Sequence, residues 1–337
     1  MKISKLIIYL FCGIISLIGC HKRAIPPEND QIFAPAELKL ISEDQSLVAV
    51  WQPVHFEEIS GYKIFYGKTS RVYSDTILVH GSKSYLEIKN LEQNQGYYCA
   101  IASVDRNGFE SELSPEAFSY TYFTFENFSQ SVGPLDTLMW HYDVGYQSFT
   151  NNGHVTPTKV ELNGGIMMRS FGQYRKIAPA DNFVLSGEFK LGVPNMGGAG
   201  LQIRSAKANP NNYFKGYLVY LFWNRNHWYL HVEKNQPDFY AQSTPHPIQL
   251  PEILPDEWVK LSVKYFNGVI IAEVIRLWDY SELGRIKVSI TGNSRRPGLQ
   301  DRYCGFFTAQ YGRNAILVDN FGISHFLPEN QSTSFID

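Results

Sequence analysis

The sequence predicts an all-β chain, two sandwich domains behind an N-terminal anchor, and three observations carry that expectation. Helical periodicity is nearly absent along the 337 residues. Short apolar and aromatic runs recur instead between Gly, Asn, Asp and Pro, the way strands alternate with turns. The runs fall into two sets. Roughly seven short strands over 35–120 suit a two-sheet sandwich, and about eleven or more over 121–328 suit a larger sandwich or jelly roll. Aromatic residues supply much of the packing volume, at 15% of the chain with 21 Tyr and 22 Phe, against a modest 18% charged residues.

The first element is the anchor. Lys2 and Lys5 give a positive start, and Leu6–Ile18 is an almost unbroken apolar run. At ~13 residues it is too short to span a ~30 Å hydrocarbon core, and it has the form of an export signal. It closes on Leu17-Ile18-Gly19-Cys20, which resembles a bacterial lipobox. That resemblance implies that 1–19 is a lipoprotein signal peptide, removed on export, and that Cys20 is the lipidation site. Lipid chains contribute about 0.8 kcal/mol per buried CH₂, so several of them hold a protein at a membrane. The alternative is an ordinary secretory signal in which Cys20 is incidental. Residues 20–34 then read as a lipid-anchored linker, without hydrophobic period and stiffened by Pro26-Pro27. The expected location is the cell envelope, on a bacterial outer membrane, with the membrane face left open.

A net charge of −2 leaves no basic footprint, so no nucleic-acid partner is expected. Of four cysteines, Cys12 lies in the signal and Cys20 at its end. Cys99 and Cys304 are far apart and lack metal-ligand spacing, which predicts two buried, unbridged side chains rather than a disulfide framework.

In the first domain, 35–120, Leu38 and Leu40 alternate and Ser46–Trp51 forms a short strand. Gly61–Gly67 places Tyr62, Ile64 and Tyr66 on one face. Ser84–Ile88, Tyr97–Asp105 and Ser111–Tyr120 follow, with Asp105-Arg106-Asn107-Gly108 as a tight turn. Trp51, Leu91 with Tyr97, and Val104-Asp105 with Gly108 and Glu110-Ser111 resemble the core tryptophan, tyrosine corner and final turn of a fibronectin type III domain. The resemblance implies a spacer, with a protein partner as a further role open to such a domain.

In the second domain, 121–328, the strands expected are Phe123–Phe128, Leu138–Val144, Val160–Arg169, Phe183–Leu191, Gly200–Ser205, Gly216–Trp223, Trp228–Glu233, Trp258–Tyr265, Val269–Ile275, Tyr303–Gln310 and Ile316–Ser324. A tail, 329–337, follows. Asn224-Arg225-Asn226 reads as the turn of a hairpin between two aromatic-rich strands. Alternation points Phe183, Leu185, Phe189 and Leu191 one way and Glu188 the other. It likewise separates Leu201 and Ile203 from Gln202 and Arg204, and Trp228, Leu230 and Val232 from Tyr229, His231 and Glu233. If these strands are neighbours, Glu188, Gln202, Arg204, Tyr229 and His231 line one surface. Flat rings beside hydrogen-bonding groups suit a sugar, whose C–H face stacks while its hydroxyls need partners. The alternative is a solvated sheet face with a Glu188–Arg204 cross-strand salt bridge.

Trp140, Leu162-Asn163-Gly164-Gly165-Ile166, Gly187-Glu188-Phe189, Gly200-Leu201-Gln202-Ile203-Arg204, Trp258, Gly305 and Val318-Asp319-Asn320-Phe321 resemble the concanavalin A-like lectin/glucanase superfamily. That superfamily includes laminin G-like and 3-keto-disaccharide hydrolase-like domains. The resemblance implies a concanavalin A-like jelly-roll sandwich and three open functions: a glycan or polysaccharide binder, a glycoside or 3-keto-glycoside hydrolase, or a protein-protein adhesion or scaffold module. No Glu-x-Asp-x-x-Glu pair of the glucanases occurs, the acidic residues being scattered. Met196-Gly197-Gly198-Ala199 also departs from the hydrolase-like group's Asn-Ser-Gly. No cofactor is required by any motif. Jelly-roll sugar binders often hold a structural Ca²⁺ between first and last strands, where this chain has Glu126 and Asp319, and calcium would take six to eight oxygens. The alternative for Asp319-Asn320 is a strand-end hydrogen bond.

Overall fold

The structure, a computed structural model, describes residues 32–55, 59–128, 133–134, 140–141, 148–151, 154–157, 160–162, 165–174, 182–192, 197–205, 216–236, 239–243, 246–266, 268–290, 303–311 and 316–325. The anchor with Cys20, and the tail, lie outside the described residues. All regular structure among them is strand.

The first sandwich has strands β1 (Ala36–Ser42), β2 (Leu47–Gln52), β3 (Ile59–Gly67), β4 (Asp75–His80), β5 (Tyr85–Ile88), β6 (Gly96–Asp105) and β7 (Ala117–Tyr120). They form two sheets, β1-β2-β5 and β4-β3-β6-β7. Successive strand residues face opposite ways, so Leu47, Ala49 and Trp51 meet Tyr62, Ile64, Cys99 and Ile101 in one core. Trp51 packs edge-on against Tyr62 with ring centres 5.3 Å apart. The expected tyrosine corner is present: Tyr97 Oη accepts from Glu92 N–H at 3.1 Å beside buried Leu91. The expected turn closes through Gly108 N–H donating to Asp105 O, with Gly108 at φ +85°. Strand β4 escapes sequence reading because it is an edge strand with only Ile77 and Val79 turned inward.

The second sandwich begins with β8 (Thr124–Glu126), β9 (Gly133–Pro134), β10 (Trp140–His141), β11 (Ser148–Asn151), β12 (His154–Pro157), β13 (Val160–Leu162) and β14 (Gly165–Tyr174). It continues with β15 (Phe183–Lys190), β16 (Gly198–Ser205), β17 (Gly216–Asn224), β18 (His227–Gln236), β19 (Phe239–Ser243) and β20 (Ile248–Gln249). It ends with β21 (Trp258–Phe266), β22 (Val269–Arg276), β23 (Glu282–Ser289), β24 (Tyr303–Tyr311) and β25 (Leu317–His325). A front sheet runs β10-β14-β24-β16-β17-β18-β19, with β13 on β14 and β20 on β18. A back sheet runs β23-β22-β21-β15-β25-β12-β11-β9, with β8 on β25.

Between the sheets lie Leu201, Ile203, Val219, Leu221, Leu230 and Val232 from the front, and Phe183, Leu185, Phe189, Val259, Leu261 and Val263 from the back. All are fully buried, as their alternation predicts. Cys99 and Cys304 are buried and unbridged. The expected strand Val160–Arg169 is instead a hairpin, β13 pairing with β14 through Leu162 opposite Gly165. Strand β23 escapes sequence reading because the pairing shifts between Val274 and Ile275 and breaks the alternation between Leu283 and Ile286. The register of β17 and β18 follows their two-residue turn, Arg225 and Asn226, both at positive φ.

Candidate functional site

The outward face of the front sheet gathers a compact aromatic and polar cluster on β16, β17 and β18. Since Leu201, Val219 and Val232 pair across the three strands and face the core, the flanking rows face out. One row is Gly198, Phe222 and Tyr229; the next is Gly200, Tyr220 and His231; the third is Gln202, Leu218 and Glu233. Glycine at 198 and 200 lets β17 approach closely. A Cβ at Gly200 would meet Val219 O at 2.1 Å and Tyr220 Cα at 2.5 Å.

The rings form a continuous surface. Phe222 and Tyr229 stack with centres 5.4 Å apart and planes 23° from parallel. Tyr220 lies 5.6 Å from Phe222 and meets the His231 ring edge-on at 5.6 Å. Tyr220, Phe222 and Tyr229 are each partly exposed, whereas His231 and Gln202 beneath them are buried. Tyr220 Oη donates to Glu233 Oε2 at 2.7 Å. Burial and the Glu233 acceptor hold that hydroxyl well above the ordinary tyrosine range, so it stays a donor. Burial also lowers His231 below the ordinary histidine value, against the pull of Glu233, so the imidazole is neutral at pH 7. Its Nδ1 is buried and has no hydrogen-bond partner among the described residues, which leaves a polar atom unsatisfied beside an aromatic platform. Chemically, the face offers flat apolar area, a held carboxylate and a neutral imidazole. Among the described residues of β16, β17 and β18, Glu233 is the one carboxylate, so these strands do not present the paired carboxylates of a glycosidase.

Of the residues expected to share a surface, Gln202, Tyr229 and His231 do. Arg204 follows on β16, and its side chain lies outside the described residues. Glu188 does not join them: β15 belongs to the back sheet, between β21 and β25, so Glu188 and Arg204 are not cross-strand neighbours. Glu188 instead accepts from Asn320 Nδ2 at 2.7 Å and lies 3.9 Å from Lys260 Nζ. Sequence reading missed Tyr220 and Phe222, and it placed Glu233 on the face of Tyr229 and His231 without including it in the site. The signal was present, because the short turn at Arg225-Asn226 places Tyr220 opposite His231 and Phe222 opposite Tyr229.

Glu126 and Asp319 sit on paired strands of the back sheet, β8 and β25. Each carboxylate turns to a nearby backbone N–H, Glu126 to Phe128 at 3.1 Å and Asp319 to Asn320 at 2.7 Å. Among the described residues no group of three His, Cys, Asp or Glu side chains could hold a metal ion. The two carboxylates by themselves offer four oxygens, fewer than the six to eight that Ca²⁺ takes.

No protein-family profile matches the chain, and no curated protein matches it. Solved structures do match each half. The third fibronectin III domain of the human KIAA0343 protein is 22% identical, covering 29% of this chain and 88% of its own, with a TM-score of 0.25. The exoplasmic/lumenal domain of VIP36, in a form bound to Ca²⁺ and Man3GlcNAc, is 15% identical and covers 60% of this chain and 91% of its own, with a TM-score of 0.43. Lectin UEA-II, complexed with galactose, is 11% identical and covers 61% of this chain and 100% of its own, with a TM-score of 0.41. By strand order and packing, the chain is a fibronectin type III sandwich followed by a concanavalin A-like sandwich.

Proposed function

We propose that the outward face of β16, β17 and β18 binds a carbohydrate, and that the chain is an exported lipoprotein held at a bacterial membrane through Cys20. The observation that carries the binding reading is the cluster itself. Phe222 stacks on Tyr229 next to Tyr220, with the Glu233 carboxylate and the unpartnered Nδ1 of His231 alongside. A pyranose fits such a face, its C–H side on the rings and its hydroxyls on the carboxylate and imidazole. The anchoring reading rests on Lys2, Lys5, the apolar run and Leu17-Ile18-Gly19-Cys20.

Both readings are testable on the full chain. Ligand-observed NMR against an oligosaccharide panel is expected to show saturation transfer from the protein to one saccharide class, lost in Tyr229→Ala and Phe222→Ala variants that still melt cooperatively. Transfer that survives both substitutions would place binding elsewhere. New product resonances after a day would replace the lectin reading by a hydrolase. For the anchor, mass spectrometry of the protein from its host is expected to find a lipid-modified cysteine at position 20 and no residues 1–19. An unmodified chain, or one cut elsewhere, would refute it.

A further inference from the structure

The back sheet has an outward face that is not exposed. Lys260, on β21, points away from the core yet is 1% exposed, and Ser186, Ser324 and Ile275, at outward positions, are buried as well. What covers Lys260 is the first sandwich. Lys260 Nζ donates to Ser42 O at 3.0 Å, pairs with the Glu43 carboxylate, and sits 5.5 Å from the centre of the Tyr122 ring. Tyr122 is itself fully buried between the domains. Its hydroxyl is hydrogen-bonded to Ser186 Oγ, and its ring lies where a Cβ on Gly322 would be 2.4 Å away. Its backbone N–H donates to Glu43 O at 2.9 Å, and Phe123 N–H donates to Ile323 O at 2.9 Å.

The contact extends beyond Tyr122 and Phe123. Lys39, Val50 and Tyr85 form one row across β1, β2 and β5. From that row Lys39 reaches Glu282 at 3.0 Å, and Tyr85 packs on Tyr280 with ring centres 4.8 Å apart. Val48, two residues before Val50 on the same outward face, is 1% exposed although Leu47, Ala49 and Trp51 fill its own core. The two domains therefore meet face against face, as packed sheets do, rather than end to end.

We propose that Lys260 is a latch that makes the two sandwiches one rigid body, so that the fibronectin type III domain is a fixed brace and not a mobile spacer. The physical reason is that a buried cation tolerates separation badly. A desolvated ammonium needs its charged and hydrogen-bonding partners, and here Glu43, Ser42 O and Tyr122 all come from outside the sheet that carries it. Burial opposes the charge, but Glu43, Tyr122 and Glu188 together hold the lysine above its ordinary range. The partners are as dependent: Glu43 and Glu188 are both pushed up by burial, with Lys260 as the cation that opposes the shift. The reading does not depend on what the front sheet binds.

A zero-length carbodiimide reports the geometry, because it condenses an amine and a carboxylate only when they touch. In the full chain in detergent it is expected to join Lys39 to Glu282 as an amide, found by peptide mass spectrometry, and calorimetry is expected to give one unfolding transition. Lys260→Met is expected to abolish that cross-link and split the transition in two. Should that variant fail to fold, Glu43→Ala serves in its place. Glu43 sits in the turn between β1 and β2, where its N–H donates to Ser46 O, so the first sandwich keeps its backbone bonds. Two transitions in the unaltered chain, or an unchanged cross-link in whichever variant folds, would overturn the latch.

Discussion

Removing one oxygen atom, in Tyr122→Phe, tests how much of the stability resides in the polar contact between the domains. The ring stays where it is, fully buried and stacked on Phe125 at 5.8 Å. What goes is a hydroxyl bonded to Ser186 Oγ and facing Lys260. Burial pushes that hydroxyl up to about 12, so it stays a neutral hydroxyl at every working pH. Ser186 is 1% exposed and cannot turn to water, so the loss leaves a buried polar group unpaired, at a cost of about 1–3 kcal/mol. For a unit of this size, about 2 kcal/mol corresponds to a fall of roughly 4–8 °C in the melting midpoint. Urea melts of Tyr122→Phe, Ser186→Ala and the double variant close a thermodynamic cycle. Because removing both partners of a buried pair leaves little unsatisfied, the double variant is expected to lose less than the sum of the singles by at least about 0.5 kcal/mol. Strict additivity, or a single variant as stable as the original, would refute the argument that this contact is desolvated.

Three further outcomes follow from the same geometry. Gly200→Ala drives a Cβ to 2.1 Å from Val219 O, so it is expected to cost about 2–3 kcal/mol in urea melts and to weaken saccharide binding by parting β16 from β17. His231 titrates below its ordinary 6.5 in the folded chain. The unfolded chain therefore binds its proton first, and the stability His231 contributes is present above pH 6.5 and is lost as pH falls from there through the lowered folded value. A His231→Gln variant should accordingly show a shallower fall of the midpoint between pH 7 and 5 than the unaltered chain, and equal slopes would contradict the lowered value. Because the Glu126 and Asp319 carboxylates already accept backbone N–H groups, EDTA is expected to leave the midpoint unchanged. A fall of several degrees that Ca²⁺ restores would show a metal between them.

Much of the fold is legible in the sequence because its determinants are local. Trp51, Leu91 with Tyr97, and the Asp105–Gly108 turn carry the resemblance by which the first sandwich is read, and each ends in a contact the structure contains. Alternation also assigned the faces of β15, β16 and β18 correctly, since the side-chain period of a strand is fixed. It cannot assign sheets. Glu188 and Gln202 both face away from the core, yet they lie on opposite outer surfaces of the sandwich, because sheet membership is set by pairings between strands distant in the chain. Lys260 was illegible for a related reason. An outward lysine on a strand ordinarily reads as solvated, and only the first domain, more than two hundred residues away along the chain, turns it into a buried ion. On the front face, Tyr220 and Phe222 were within reach, since the hairpin register alone places them beside His231 and Tyr229.

Each sandwich carries a buried cysteine in its core, Cys99 on β6 and Cys304 on β24, both with no measurable exposure. Burial pushes the Cys99 thiol up to about 12, which keeps it out of the reactive thiolate form while the domain is closed. The pair is a built-in clock. A thiol reagent can reach each sulfur only when its own sandwich opens, so the rate of labelling at each site measures the opening of that half in the unmodified protein. Two halves that breathe separately would label at two unrelated rates with different responses to denaturant. Two halves joined through their interface would give rates that rise together, and a substitution made in one would be felt as faster labelling in the other.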